Sequence, residues 1–171
     1  TRGPAMNILL IGASGQLGTE LLPLLAKKGR VTPTDRSPPG ASQPNWVQMD
    51  IADSSAVERL LNQQRPSLIV NAAAYTAVDQ AEVDQSVAHD VNARFPGQLA
   101  HWANKNDALL IHYSTDYVFN GNASVPYLES DTPDPQNVYG ESKLAGEKAI
   151  SASGCKYTTL RTSWVYSSHG K

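Results

Sequence analysis

Asn7-Ile8-Leu9-Leu10-Ile11-Gly12-Ala13-Ser14-Gly15-Gln16-Leu17-Gly18 is the stretch that decides the reading of this chain. The apolar run Ile8–Ile11 has no polar alternation, as expected of a strand buried on both faces of a parallel sheet. Leu21, Leu22, Leu24 and Leu25 follow at helical spacing, so the order is strand, small-residue turn, helix. Gly12, Gly15 and Gly18 follow the spacing G-x-x-G-x-x-G, not the commoner G-x-G-x-x-G. The physics is shared by both spacings. Glycine permits a tight turn and close backbone approach, and a helix N-terminus offers free N–H groups to a pyrophosphate. Plain structural turn glycines are the alternative. Pro23 falls in the second turn of the helix, a position early enough to be tolerated.

Working outward, Val31-Thr32-Pro33-Thr34 reads as a second strand, with Pro33 suited to its first or outer part. It ends at Asp35, 23 residues after Gly12. A carboxylate there suits the ribose hydroxyls of an adenosine, while Arg36 next to it suits a 2′-phosphate. NADH and NADPH are therefore both open. Residues 37–45 read as a surface loop rich in Pro, Gly and Ser. A short strand Trp46–Met49 leads to Asp50 and Ile51, and Asp53 is an N-cap candidate for a helix to Gln64. Ser67–Asn71 is the fourth strand. The small residues Ala72, Ala73 and Ala74 before Tyr75 let a flat ligand lie against the backbone, or serve close strand–helix packing. A long helical stretch from Val78 to Trp102 should bend or divide at Pro96, and the buried amide of Asn92 within it needs partners. His89 and His101 read as solvent-facing, with no metal assigned. Asp107–Tyr113 is the fifth strand, running into Ser114, Thr115 and Asp116 at its carboxyl end, where open α/β sheets bind ligands. A polar, proline-rich loop spans residues 120–137, and Tyr157–Arg161 is a sixth strand.

Between them lies Tyr139-Gly140-Glu141-Ser142-Lys143, on a helix whose packing side is read as Ala145, Gly146, Ala149 and Ile150. The four-residue spacing puts Tyr139 and Lys143 on one helical face. A phenol ordinarily ionises near pH ~10, and an ammonium one turn away should lower that value and make Tyr139 a proton donor. A surface tyrosine and a surface lysine are the bland alternative.

The 171 residues suffice for one domain with a sizeable core. A net charge of −2 argues against nucleic acid or an anionic membrane as a partner held by bulk electrostatics. Cys155 is the single cysteine, which excludes an intrachain disulfide and suits a reducing, cytoplasmic location. No apolar run approaches the ~20 residues of a membrane span. Thr1–Ala5, ahead of Met6, is read as an expression-tag remnant outside the fold.

Taken together, these motifs resemble the extended short-chain dehydrogenase/reductase superfamily and, within it, the dTDP-4-dehydrorhamnose reductase family. The resemblance rests on Gly12–Gly18, on Val70–Asp79 (V-N-A-A-A-Y-T-A-V-D), on Tyr113–Phe119 (Y-S-T-D-Y-V-F), on Asn137–Lys148 (N-V-Y-G-E-S-K-L-A-G-E-K) and on Arg161–Tyr166 (R-T-S-W-V-Y). It implies an α/β fold: a Rossmann-like doubly wound parallel sheet with helices on both faces, spanning residues 6–171 and stopping before the second, substrate domain of family members. It further implies that NADPH or NADH reduces the 4-keto group of dTDP-4-dehydro-L-rhamnose to give dTDP-L-rhamnose. By the same resemblance Tyr139 protonates the developing alkoxide, Lys143 assists it and holds the nicotinamide ribose, and Thr115 hydrogen-bonds the reacting oxygen. Asp116 and Trp164 position the sugar. Gly12, Gly15, Gln16, Leu17, Gly18, Asp35, Arg36, Asp50, Ile51, Ala73, Ala74, Tyr75 and Tyr113 line the cofactor. A homodimer is a further possible assembly, and the face where a second domain docks should be unusually apolar. Two other readings stay open: a non-catalytic NAD(P)-binding regulatory subunit like that of methionine adenosyltransferase, and a related nucleotide-sugar epimerase or dehydratase.

Overall fold

The computed structural model describes residues 6–37 and 45–167. The tag-remnant reading of residues 1–5 and most of the loop read over 37–45 lie outside the described residues. Six parallel strands form one sheet in the order β3-β2-β1-β4-β5-β6. They are β1 (Met6–Ile11), β2 (Gly29–Asp35), β3 (Val47–Gln48), β4 (Leu68–Asn71), β5 (Leu109–Thr115) and β6 (Lys156–Thr162). The strand order reverses between β1 and β4, which is the doubly wound Rossmann-like topology, and ligands bind such sheets at that switch.

The helices follow from the reversal. α1 (Gln16–Ala26) packs Leu21, Leu22 and Leu25 against Ile8, Leu10 and Val70 on one face. α2 (Ser54–Gln64), α5 (Phe95–Lys105) and α6 (Val138–Ala152) cover the other, where Leu9, Ile11, Ile69 and Leu110 meet Leu61, Leu99 and Ile150. Asp53 caps α2, accepting from the Ala56 N–H at 2.9 Å, which bears out its N-cap reading.

Four local readings change in whole or in part. Pro33 sits inside β2, opposite Leu10, and not in its outer part. It is tolerated because β3 pairs only with Thr34 and Asp35, so at Pro33 the strand has a neighbour on one side alone. Pro23 lies well inside α1, which nonetheless continues to Ala26. The stretch read as one long helix is α3 (Val78–Ala81), α4 (Gln85–His89), a π-turn at Asp90–Arg94 and then α5. Pro96 stands in the first turn of α5 and has no N–H to give the Asn92 carbonyl four residues earlier, so the ladder widens just before it. The packing side read for α6 holds at Gly146 and Ile150, which are buried; Ala145 and Ala149 are only half-buried, and Ser142 and Lys143 turn inward as well. A bidentate Arg161–Glu147 pair, at 2.7 and 3.0 Å, ties edge strand β6 to α6.

Candidate active site at the carboxyl ends of the strands

The glycine turn closes β1 against β4. Gly12 has φ +75°, and a Cβ there would stand 2.7 Å from the Ala73 nitrogen, so only glycine lets the two backbones meet. Its N–H and that of Ala13 both donate to the Thr34 carbonyl at 3.1 Å. Gly15 is the N-cap of α1 and brings no side chain to cap it. The first N–H groups of the helix, at Gln16, Leu17 and Gly18, thus receive no side-chain cap from Gly15, the condition under which a helix N-terminus can take an anion. Asp35 comes down beside this turn and accepts from the Ser14 N–H at 3.2 Å and the Arg36 N–H at 2.7 Å. Arg36 is exposed just beyond it. Asp50 closes its own turn by accepting from the Ala52 N–H at 2.9 Å, and Ile51 packs on the main core.

Opposite the glycine turn, Ala73, Ala74 and Tyr75 run from β4 along the base of α6. Asn92, in the π-turn, holds Tyr75 through both backbone groups: it accepts from the Tyr75 N–H at 2.9 Å and donates to the Tyr75 carbonyl at 3.0 Å. The same amide donates to Ser142 Oγ at 3.0 Å, and Ser142 donates to the Tyr139 carbonyl at 2.8 Å. The partners that Asn92 needed are therefore the cofactor-side turn and α6 together. Asn137 caps α6, accepting from the Gly140 N–H at 2.7 Å, and Glu82 accepts from the Val138 N–H at 2.9 Å. These caps fix where Tyr139 begins the helix.

Thr115 ends β5 almost fully buried, its hydroxyl near enough to the Tyr139 side chain to lower that group's pKa. The same hydroxyl lies 3.2 Å from Asp116 Oδ1 and accepts from the Tyr117 N–H at 3.2 Å. The Tyr117 ring meets Tyr139 edge to face with centroids 5.5 Å apart. Lys143 is 2% exposed and donates from Nζ to the Tyr113 carbonyl at 2.5 Å. Thr115, Tyr139 and Lys143, separated in sequence, are thus brought together where β5 meets α6.

The electrostatics differ from what helical spacing implied. Burial raises the Tyr139 hydroxyl above the ordinary phenol value. The Thr115 hydroxyl pulls it back, while Asp116 and Tyr117 push it further up. Lys143 is not what sets the balance, because its charge is costly in the same dry interior. Burial lowers the Lys143 ammonium to about 8, against an upward pull from Glu147.

Trp164 does not join the cluster. It is 78% exposed at a left-handed φ of 50°, and none of the described hydrogen bonds or ring contacts link it to Thr115 or Tyr139. Its segment instead crosses α1, where Gln16 Nε2 donates to the Val165 carbonyl at 2.8 Å. Among the described residues no group of His, Cys, Asp and Glu is arranged to hold a metal, and no helix is long and apolar enough to cross a membrane. Asn71 and His112, buried beneath this site, were not singled out from the sequence. The alternation Leu110, His112, Ser114 along β5 was the available signal, since it places all three on one face.

Similar proteins have the same architecture. A dTDP-4-dehydrorhamnose reductase of Burkholderia thailandensis is 43% identical over 166 residues, which are 97% of this chain and 52% of that protein. The enzyme of that name from Escherichia coli K12 is 45% identical over 165 residues, 96% of this chain and 53% of its own length. The crystal structure of a dTDP-4-dehydrorhamnose reductase from Bacillus anthracis in complex with NADP superposes with a TM-score of 0.85 at 36% identity, over 95% of this chain and 54% of that one. The chain thus spans about half the length of the relatives it matches. The model of the RmlD substrate binding domain matches residues 6–171, and the chain belongs to that family.

Proposed function

We propose that this chain is the dinucleotide-binding half of a cytoplasmic reductase that converts dTDP-4-dehydro-L-rhamnose to dTDP-L-rhamnose, a step of L-rhamnose biosynthesis, using NADPH or NADH. The observation that carries the reading is the convergence of Thr115 and Tyr139 at the carboxyl end of β5, with Lys143 buried one helical turn further along. The residues fit a dinucleotide. An uncapped α1 N-terminus suits the pyrophosphate, Gly12 leaves room for close approach, and Asp35 and Arg36, at the end of β2 beside the turn, suit an adenosine ribose or its 2′-phosphate. Asp50, Ile51, Ala73, Ala74, Tyr75 and Tyr113 line the rest.

Reduced nicotinamide, when bound, supplies the hydride to the ketone carbon. The protein manages the oxygen. As charge develops there, the Tyr139 hydroxyl transfers its proton and the Thr115 hydroxyl donates a hydrogen bond. Lys143, one N–H spent on the Tyr113 carbonyl, has two left for the nicotinamide ribose. Asp116 orients the sugar, and Trp164, exposed in a segment held to α1, reaches it only by a movement of that segment.

Calorimetric titration of this chain with NADPH, NADH and then dTDP-rhamnose tests the reading. Dinucleotide binding with little nucleotide-sugar binding is expected, because most of the sugar-nucleotide grip belongs to the other half. Failure to bind either dinucleotide would overturn it.

A further inference from the structure

His112 is an unusual choice at its position. It occupies the inward face of β5, between Leu110 and Ser114, and is 1% exposed. Burial and the nearby Lys143 charge hold it neutral, lowering it to about 3. Its Nε2 has no described hydrogen-bond partner. A buried, unpaired ring nitrogen is a penalty that a leucine there would avoid, so the value of the residue must lie in its other nitrogen.

Nδ1 lies 3.1 Å from the Nδ2 atom of Asn71, the residue directly across from it on β4. Hydrogen-bond logic settles the proton. The Ala73 N–H donates to Asn71 Oδ1 at 3.2 Å, so the amide oxygen must face Ala73 and the amide nitrogen must face the ring. Nδ1 therefore accepts, and the ring proton sits on Nε2. The chain of contacts runs from β5 through Asn71 to the Ala73 nitrogen, and Ala73 is the residue against which Gly12 packs. The next residue after His112 supplies the carbonyl that anchors Lys143.

We propose that His112, as the Nε2–H tautomer, is a positioning residue: through Asn71 it fixes the Ala73 turn against the glycine turn, and so sets the spacing between the pyrophosphate site and Lys143. The proposal rests on the dinucleotide-binding reading above. His112 touches neither cofactor nor substrate and acts only through its neighbours.

The test uses the 171-residue chain, ¹⁵N NMR of its histidines and calorimetry with NADPH and NADH. In the unaltered chain the His112 signals should show a bare Nδ1 and a protonated Nε2 at neutral pH; the opposite tautomer or an imidazolium overturns the proposal. His112→Asn places an amide oxygen near the former Nδ1, whereas His112→Leu offers Asn71 nothing. His112→Leu should weaken dinucleotide binding by about tenfold and shift the Ala73 amide resonance, while His112→Asn stays within about threefold. Packing alone predicts the reverse order, since asparagine is smaller and polar, and that order overturns the proposal. Should His112→Leu fail to fold, Asn71→Asp serves. Its second oxygen must accept from the ring, so the proton moves to Nδ1, and an unchanged tautomer overturns the proposal. If the unaltered chain binds no dinucleotide, the functional reading fails, while the tautomer and the Ala73 resonance still decide the His112 tie.

Discussion

Replacing Gly146 by alanine sets two effects of known size against each other. In a helix interior alanine is favoured over glycine by about 1 kcal/mol, so propensity alone predicts a more stable protein. Packing predicts the opposite. A Cβ on Gly146 would overlap the Asn92 carbonyl oxygen outright and stand 3.2 Å from the Asn92 carbonyl carbon. Restoring an ordinary carbon–oxygen separation of about 3.3 Å requires α6 or the π-turn to move by on the order of 1 Å. Both partners are backbone, and overpacking of this kind costs about 1–3 kcal/mol even where side chains can yield. Here the upper end applies, leaving a net loss of about 2 kcal/mol, or a fall in Tm of about 4–8 °C for a chain of this size. The damage reaches the site, because Asn92 holds Tyr75 on one side and Ser142 on the other. Urea unfolding followed by circular dichroism gives the stability, and calorimetry with NADPH should show affinity falling by about threefold or more. Gly97→Ala is the control, since its Cβ would meet only the Ala149 methyl, at 3.3 Å; its effect should stay within about 1 kcal/mol. A Gly146→Ala chain as stable as its parent would refute the close-approach argument.

Tyr139→Phe in the full-length protein should abolish turnover, while this chain carrying it binds dinucleotide within about threefold of the parent; retained turnover, measured by nucleotide absorbance, would remove Tyr139 as proton donor. Lys143 is lowered from 10.5 to about 8 in the fold, so between those values the unfolded chain binds more protons and stability rises with pH. Urea titrations from pH 7.5 to 9.5 should show that rise and Lys143→Met should lose it, whereas parallel curves would contradict the buried-ammonium account. Dinucleotide affinity should move oppositely, weakening above about pH 8 as the ammonium is lost. Arg36→Ala should weaken NADPH by about tenfold and leave NADH nearly unchanged, as read by calorimetry; equal losses would mean that Arg36 does not meet a 2′-phosphate.

What the sequence made legible follows from how local its signals are. Ile8–Ile11 and Leu68–Asn71 carry no polar alternation, and both became central strands. Asp53 announced α2 because an N-cap needs only residues within one turn. Signals that depend on neighbours were harder. Pro33 looks misplaced inside a strand until one knows that β3 is too short to flank it. The stretch from Val78 to Trp102 has continuous helical spacing, and only the missing N–H of Pro96 hinted at the π-turn. The inward side of α6 was read correctly at Gly146 and Ile150 but not at Ala145 and Ala149, because small alanines look like packing residues. Lys143 looks like a surface residue until Tyr113 supplies a buried carbonyl for its ammonium. His112 and Asn71 sit 41 residues apart, and only strand register brings them together.

The raised Tyr139 value bears on the direction of the proposed chemistry. An acid that works in a reduction must hold its proton until negative charge appears on the substrate oxygen, and burial ensures that it does. A free phenolate at neutral pH would serve the oxidation instead. The developing alkoxide is a far stronger base than a phenolate, so transfer remains downhill even from a buried phenol. What then needs help is the phenolate left behind, in a site where Asp116 disfavours it. The Thr115 hydroxyl is the described group that eases it. Lys143, tied to the Tyr113 carbonyl, acts first, on the proposed reading, by holding the ribose. On the same reading, bound cofactor and substrate further exclude solvent, which raises the effective strength of its interaction with Tyr139. The Tyr–Lys spacing thus encodes an arrangement that substrate binding completes, and burial keeps the apo site in its proton-loaded form.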